Sequence, residues 1–287
     1  MGSLREIKER IGSVKSTLKV TSAMKLVASS KLRKAQRAIE GLRPYEETLN
    51  EVLLSLGGGE GLFVPKKREE GEPAPKPKVA VVAISSNSSL CGGFNVNAFK
   101  KASEVVDGYE DVEVHSLGRK MAESMRKKGF PSPKDYFELI AHPSYAGVTA
   151  LAESLSARYL DGELSRVILV YNHFISNSHQ EPVAETYLPF VSEGTADSGS
   201  AVEEDYIVEP SPEEVLHTLL PQVLMLKFYA AILDSAAAEH AARTIAMQTA
   251  TDNAEDLLGE LTREYNKGRQ QKITAELLDL EGGMAEQ

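Results

Sequence analysis

The 287-residue sequence has no tryptophan, few aromatic residues of any kind and a single cysteine, Cys91. A lone cysteine excludes an internal disulfide and offers no cysteine cluster for a metal. The six histidines (His115, His142, His173, His179, His217 and His240) form neither an HxxxH helical pair nor an HExxH motif, so no metal site is expected. GxGxxG and GxxxxGK[ST] are both missing. No nucleophile, base and orienting acid stand in an arrangement that supports catalysis, and no cofactor is expected. No uninterrupted apolar run approaches the ~18 residues of a bilayer span. The opening MGSLREIKER lacks a signal-peptide core, so the expected location is the cytoplasmic side. A formal net charge of −10 argues against general nucleic-acid affinity.

What is present is organised charge and long periodicity. Between Arg5 and Arg43 stand Arg5, Lys8, Arg10, Lys15, Lys19, Lys25, Lys31, Arg33, Lys34, Arg37 and Arg43, opposed only by Glu6, Glu9 and Glu40. This basic stretch in an acidic chain reads either as a solvated helix face or as a docking surface for an acidic protein partner. The same segment carries a heptad seam: Leu4, Ile7, Ile11, Val14, Leu18, Thr21, Lys25, Ala28, Leu32, Ala35, Ile39 and Leu42 alternate in steps of three and four. With a kink expected at Pro44, the pattern predicts a helix to Leu56, where GGGEG ends it. A second seam runs from Leu216 through Ala237, Thr251 and Leu261 to Tyr265. Ser211 and Glu214 form a capping box ahead of it, with Pro212 at the first helical position and Pro221 as an expected bend. At 1.5 Å per residue the helices would span about 80 and about 105 Å, too long for a compact domain of this size.

The predicted organisation is an N-terminal coiled-coil helix (1–56), a Pro- and charge-rich linker (57–78), an α/β domain (79–190), a loop (191–210) and a C-terminal coiled-coil helix with its tip (211–287). In the centre, VAVVAIS reads as a buried strand, followed by a helix over about 95–106, the strand VEVHSL, helices over 120–128 and 147–160, and two adjacent strands in RVILVYNHFIS and EPVAETYLPF. The fold class is thus a Rossmann-like α/β domain inserted between the two helices of a long antiparallel coiled coil. SSNSSLCGGFN (Ser85–Asn95) sits where such a domain binds phosphate, but without the glycine register or a lysine it reads as a tight structural turn, with Cys91 a structural thiol.

If the helices leave the domain level with each other, Leu56 beside Ser211, facing residue numbers add up to about 267. Beyond Tyr265 the second helix then has no partner, and the seam stops before Gly268. Yet Ile273, Leu277, Leu278 and Leu280 are apolar, so the tip reads as built for a socket on another protein, against the plainer reading of a frayed tail. The stretch Asp234–Leu257 is unusually slim, with alanine where leucine is expected. Each such exchange forfeits roughly 2 kcal/mol of burial, so a hairpin selected only for its own stability would not repeat it.

These motifs resemble those of the gamma subunits of F-type ATP synthases. VTSAMKLVASSKLRKAQ and LRPYEETL resemble that family's first helix, LCGGFN its central turn, and AARTIAMQTATDNAEDL, YNKGRQQKIT and ITAELLDLEGG its last helix. The chain departs from the family at Ser88-Ser89, where Arg-Gly is usual, and at Gly283-Met284, where Gly-Ala is usual. The resemblance implies a non-catalytic rotor shaft on the cytoplasmic face of a bacterial inner membrane. Its partners would be a ring of alpha and beta subunits, the epsilon subunit and the membrane ring of c subunits. It further implies that Met24, Lys25 and Arg243 face a moving beta loop, and that Arg269, Gln270, Thr274, Glu276 and Asp279 lie in the catch and socket at the top. Tyr206 and Glu209 would contact the foot. On this reading the slim stretch fits a bore. With Cys91 alone, the paired-cysteine switch of plant-type relatives cannot operate. A nucleotide-binding enzyme and a coiled-coil scaffold unrelated to ATP synthesis are the competing readings.

Overall fold

The computed structural model describes residues 4–56, 65, 78–190 and 208–285, with side chains of the last helix described as far as Leu278. Most of the expected linker and the loop at 191–207, including Tyr206, lie outside the described residues, as does the side chain of Asp279. The elements are α1 (Leu4–Ser55), β1 (Lys78–Ile84), α2 (Phe94–Asp107), β2 (Val112–Leu117), α3 (Arg119–Lys128), α4 (Phe137–Ala141), α5 (Tyr145–Leu160), β3 (Leu164–Phe174), β4 (Gln180–Leu188) and α6 (Pro212–Ala285). They fall into two compact units: residues 30–242, and residues 1–29 with 243–287.

In the first unit the strands form one sheet in the order β2-β1-β3-β4. β1 pairs in parallel with both β2 and β3, while β3 and β4 pair antiparallel, so the sheet is mixed. β1 lies between two parallel neighbours, and six of its seven residues are buried. Val79, Val81 and Ala83 face Ala98, Ala102 and Val106 of α2 and Met121 and Met125 of α3. Ala80, Val82 and Ile84 face the opposite layer, where Val148, Leu151, Leu155 and Tyr159 of α5 meet Leu53 of α1 and Leu216, Leu220, Leu224 and Phe228 of α6. The period-2 alternation thus splits one apolar run between two cores. Ser144 caps α5, its hydroxyl accepting from the Gly147 N–H at 3.3 Å. The short α4 went unpredicted because five residues carry no readable period.

Both long helices continue through their prolines, Pro44 and Pro221, where a kink and a bend were expected. Ser211 opens α6 as the capping box predicts, its hydroxyl accepting from the Glu214 N–H at 3.3 Å. Within this unit α1 and α6 pack antiparallel through Leu32 and Ala35 against Ala237 and Ala241, and through Leu49 against Val223 and Leu226.

In the second unit the same helices pair through Thr21 with Thr251 and Leu4 with Gly268. These facing numbers add up to 272, not the expected 267. The cause is the start of α6: Pro212, Glu213 and Glu214 are exposed and overhang, so α6 does not begin level with the end of α1. Nor does the seam stop before Gly268. That glycine is its last position, where an added Cβ would stand 2.9 Å from Leu4 Cδ2. From Arg269 to Leu278 every described side chain is exposed.

α6, as far as Leu278, also holds an 18-residue window of mean hydropathy 1.4, apolar enough by length and composition to cross a membrane. Of that window, 44% is buried inside the molecule.

Candidate partner-binding surfaces

The turn after β1 is where a doubly wound sheet would receive a ligand. Here its own side chains fill it. Asn95 Oδ1 accepts from the Ser86 N–H at 3.1 Å and from the Ser86 hydroxyl at 2.9 Å. Asn95 Nδ2 donates to Cys91 Sγ at 3.1 Å. Gly118, at φ 104°, brings the start of α3 against Ser85, and the Met121 N–H donates to Ser85 Oγ at 2.8 Å. Cys91 is buried with Phe94 against Phe174 and Ala238, as a structural thiol should be.

The crevice outside the carboxyl ends of β1 and β3 is occupied by α6. Ile232, Ser235, Ala236 and Glu239 line a space of about 10 Å³ with Ile84 and Ser85, while Ala238 meets the Cys91 turn. Ala237, Ala238 and Ala241 are fully buried. This corrects the reading of the slim stretch: from Asp234 to Ala242 its alanines are small because α6 is wedged between α1 and the sheet's own turn.

Titratable side chains cluster at a different place, beside β2. Arg158 Nη2 donates to Glu113 Oε2 at 2.9 Å and Arg158 Nε to Glu163 at 2.9 Å. His115 Nε2 lies 2.6 Å from Glu113 Oε1 and its Nδ1 lies 3.2 Å from the Tyr136 hydroxyl. The hydrogen bond from Arg158 holds the Glu113 carboxyl down at about 2, while burial pushes His115 below its ordinary value. A carboxylate locked by a guanidinium beside a neutral imidazole makes a brace between β2, α5 and the segment before α4.

Of the residues singled out by resemblance, all but Tyr206 and Glu209 lie on α1 and α6. Met24 and Lys25 are half-buried and Arg243 is buried at 9% exposure, all three in the unit formed by residues 1–29 and 243–287. On the 272 register Met24 and Lys25 lie across from Gln248 and Met247, about one helical turn from Arg243. Around them the same unit exposes Val20 (57%), Leu26 (70%), Val27 (57%) and Ile245 (45%). These four were missed in the sequence, although the signal was there: they are apolar residues standing off the heptad seam. Ten of the eleven basic residues of α1 are exposed, with Lys25 the half-buried one.

At the end of α6, Arg269, Gln270, Thr274 and Glu276 are exposed among Ile273, Leu277 and Leu278. Thr274 donates its hydroxyl to the Gln270 carbonyl at 3.0 Å, and Glu276 pairs with Lys272 at 3.6 Å. Glu209 is exposed in an open groove with Pro210, Glu214, Thr218 and Gln222.

Among the described residues no group of histidine, cysteine and acidic side chains could hold a metal. The surfaces that stand out are thus helical, apolar and basic, in a protein whose α/β sheet seats one of its own long helices. That defines a protein of two long helices with an α/β domain. The ATP synthase family model matches residues 3–286. The ATP synthase gamma chain of Phocaeicola vulgatus is 46% identical over 293 residues, covering 99% of each chain, and that of Bacteroides thetaiotaomicron is 44% identical over 298 residues with the same coverage. The rotor of the mitochondrial ATP synthase of Euglena gracilis shares the fold, with a TM-score of 0.63 and 19% identity over 95% of this chain and 99% of that one. The chain belongs to the ATP synthase gamma-chain family.

Proposed function

We propose that this chain is the central rotor shaft of an F-type ATP synthase, coupling ion-driven rotation of a c-ring to ATP synthesis in a head of alpha and beta subunits. The observation that carries the reading is 46% identity to an ATP synthase gamma chain over 99% of both chains. It is supported by α6, one helix of 74 residues seated against the sheet at Asp234–Ala242, with every described side chain from Arg269 to Leu278 exposed. The two helices form a long antiparallel coiled coil carrying a Rossmann-like domain. A shaft of this kind works by differential binding: each orientation favours one conformer of each surrounding subunit, and turning it moves that preference around the ring.

In this reading the band of Met24, Lys25, Arg243, Leu26 and Val27 meets the moving beta loop, with the basic face of α1 against acidic loops. Arg269, Gln270, Thr274, Glu276 and Asp279 enter the socket at the top. Tyr206 and Glu209 contact the foot, where epsilon and the c-ring bind. The chain itself carries no catalytic residue and sits peripherally on the cytoplasmic face of a bacterial inner membrane. The test is reconstitution with alpha and beta subunits. The expected result is a stable complex with altered ATPase activity; neither a complex nor a change in activity would sink the proposal and leave a scaffold unrelated to ATP synthesis.

A further inference from the structure

Large side chains of α6, Phe228 edge-on against Tyr187 of β4 among them, pack on the sheet earlier in the helix, but from Ala237 to Ala242 the contact is made by small side chains. Ala237, Ala238 and Ala241 are fully buried, and the cluster around Cys91 and Phe94 meets α6 through Ala238 and Ala242. Contacts between small apolar groups have no direction, so they resist turning of a helix about its own axis only weakly. Asp234, at the start of this stretch, makes a polar contact that does have direction. Asp234 accepts the backbone N–H of Phe174 on Oδ1 at 3.1 Å and meets His173 Nδ1 with Oδ2 at 2.6 Å. Both partners are the last residues of β3. One carboxylate on α6 thus grips the end of a central strand at two points. Its titratable neighbours are His173, half-exposed, and Glu185 of the adjacent strand β4. Burial pushes the Asp234 carboxyl above its ordinary value despite these two contacts, so its charge is kept in place against a penalty that an apolar residue would not incur.

We infer that Asp234 is a positioning residue that keys α6 to the end of β3, fixing the angle of the helix against the sheet so that both turn as one piece. The inference rests on the rotor reading above. A key of this kind matters little to the resting fold and much under load, because it is a directional link between the α/β domain and the helix it seats.

The test uses complete ATP synthase carrying this chain in membrane vesicles, comparing wild type with Asp234→Ala and Asp234→Asn. Failure of the wild type to assemble would refute the rotor reading itself. With wild type assembled, Asp234→Ala should leave the melting temperature and ATP hydrolysis near wild type and lower the ions transported per ATP hydrolysed. It should also speed hydrogen exchange at the Phe174 amide by about tenfold or more. Asp234→Asn keeps an acceptor for Phe174 and can donate to His173 Nδ1, so it should restore both readouts. The inference is overturned if Asp234→Ala leaves the Phe174 amide protected, or if protection is lost while transport per ATP is unchanged. Should Asp234→Ala fail to assemble, His173→Ala, which removes one of the two contacts, is read against the same outcomes.

Discussion

The Thr251 hydroxyl donates to the Thr21 hydroxyl across the helix pair at 2.9 Å, and Thr21 can pass the chain on to the Leu18 carbonyl at 3.1 Å. Both residues are buried at 8% exposure, in seam positions where a coiled coil ordinarily places leucine. The pair fixes register by direction instead of bulk. Thr251→Val keeps the shape and removes the donor, so it should lower the stability of the full chain by about 1 kcal/mol. The Thr21→Val/Thr251→Val double variant should cost less than the sum of the single ones, as a double-mutant cycle by thermal unfolding would register. Additive losses would mean that the two hydroxyls act independently.

Two glycines separate tolerated from forbidden additions. At Gly268 a Cβ meets only the end of the flexible Leu4 side chain, so Gly268→Ala should be neutral or stabilising, by up to about 1 kcal/mol from helix propensity. At Gly118 a Cβ would fall on the Ser85 carbonyl, and φ is 104°. Gly118→Ala should therefore destabilise by about 3 kcal/mol or more, from strain and overpacking together. Chemical denaturation of the two variants checks the contrast.

The β2 brace predicts a two-part acid response. Glu113 has a depressed pKa in the fold, so its contribution is fully present above about 4.5 and is lost as pH falls through about 2. His115 is also depressed, by burial, so the unfolded chain binds its proton first. Stability should therefore begin to fall as pH drops below about 6.5. His115→Asn should flatten the upper part of the curve and Glu113→Gln the lower part, measured as melting temperature against pH. An unchanged profile in either variant would show that the brace does not govern acid stability.

Leu26→Asp and Val27→Asp change exposed side chains, so each should leave the melting point of the free chain nearly unchanged, within about 0.5 kcal/mol. Both should weaken assembly with alpha and beta subunits. Ala28→Asp, at a site 2% exposed, should instead disrupt the helix pair itself. If Leu26→Asp and Val27→Asp bind like wild type, the exposed band is not a contact surface.

Truncation after Gly268 removes residues whose described side chains are all exposed. The remaining chain should keep its melting temperature, and coupling in the assembled enzyme should fall. Global unfolding would show that the end of α6 supports the fold.

Where one period governs many residues, the sequence was enough. The steps of three and four placed both long helices, and VAVVAIS announced a strand buried on both faces. Register was not legible, because it depends on the exposed first turn of α6 at Pro212–Glu214, and an overhang leaves no mark in a periodic pattern. The alanines at 237, 238 and 241 were visible, but their neighbours were not: Leu32 and Ala35 lie about 200 residues away in sequence and Phe94 about 140. The Asp234 contacts were equally hidden, since nothing local links an aspartate in a helix to the end of a strand 60 residues earlier. The exposed Leu26, Val27 and Ile245 could have been found by asking which apolar residues the seam leaves over.

Because α6 fills the crevice at the carboxyl ends of β1 and β3, this sheet has traded a dissociable ligand for a tethered one. A helix joined to the domain by its own backbone has an effective concentration that no small molecule matches. The position that other doubly wound sheets keep vacant for binding is here saturated for the life of the fold. A compound aimed at that crevice would have to displace part of the protein's own backbone, whereas one aimed at the exposed, apolar face of α1 around Leu26 and Val27 would not.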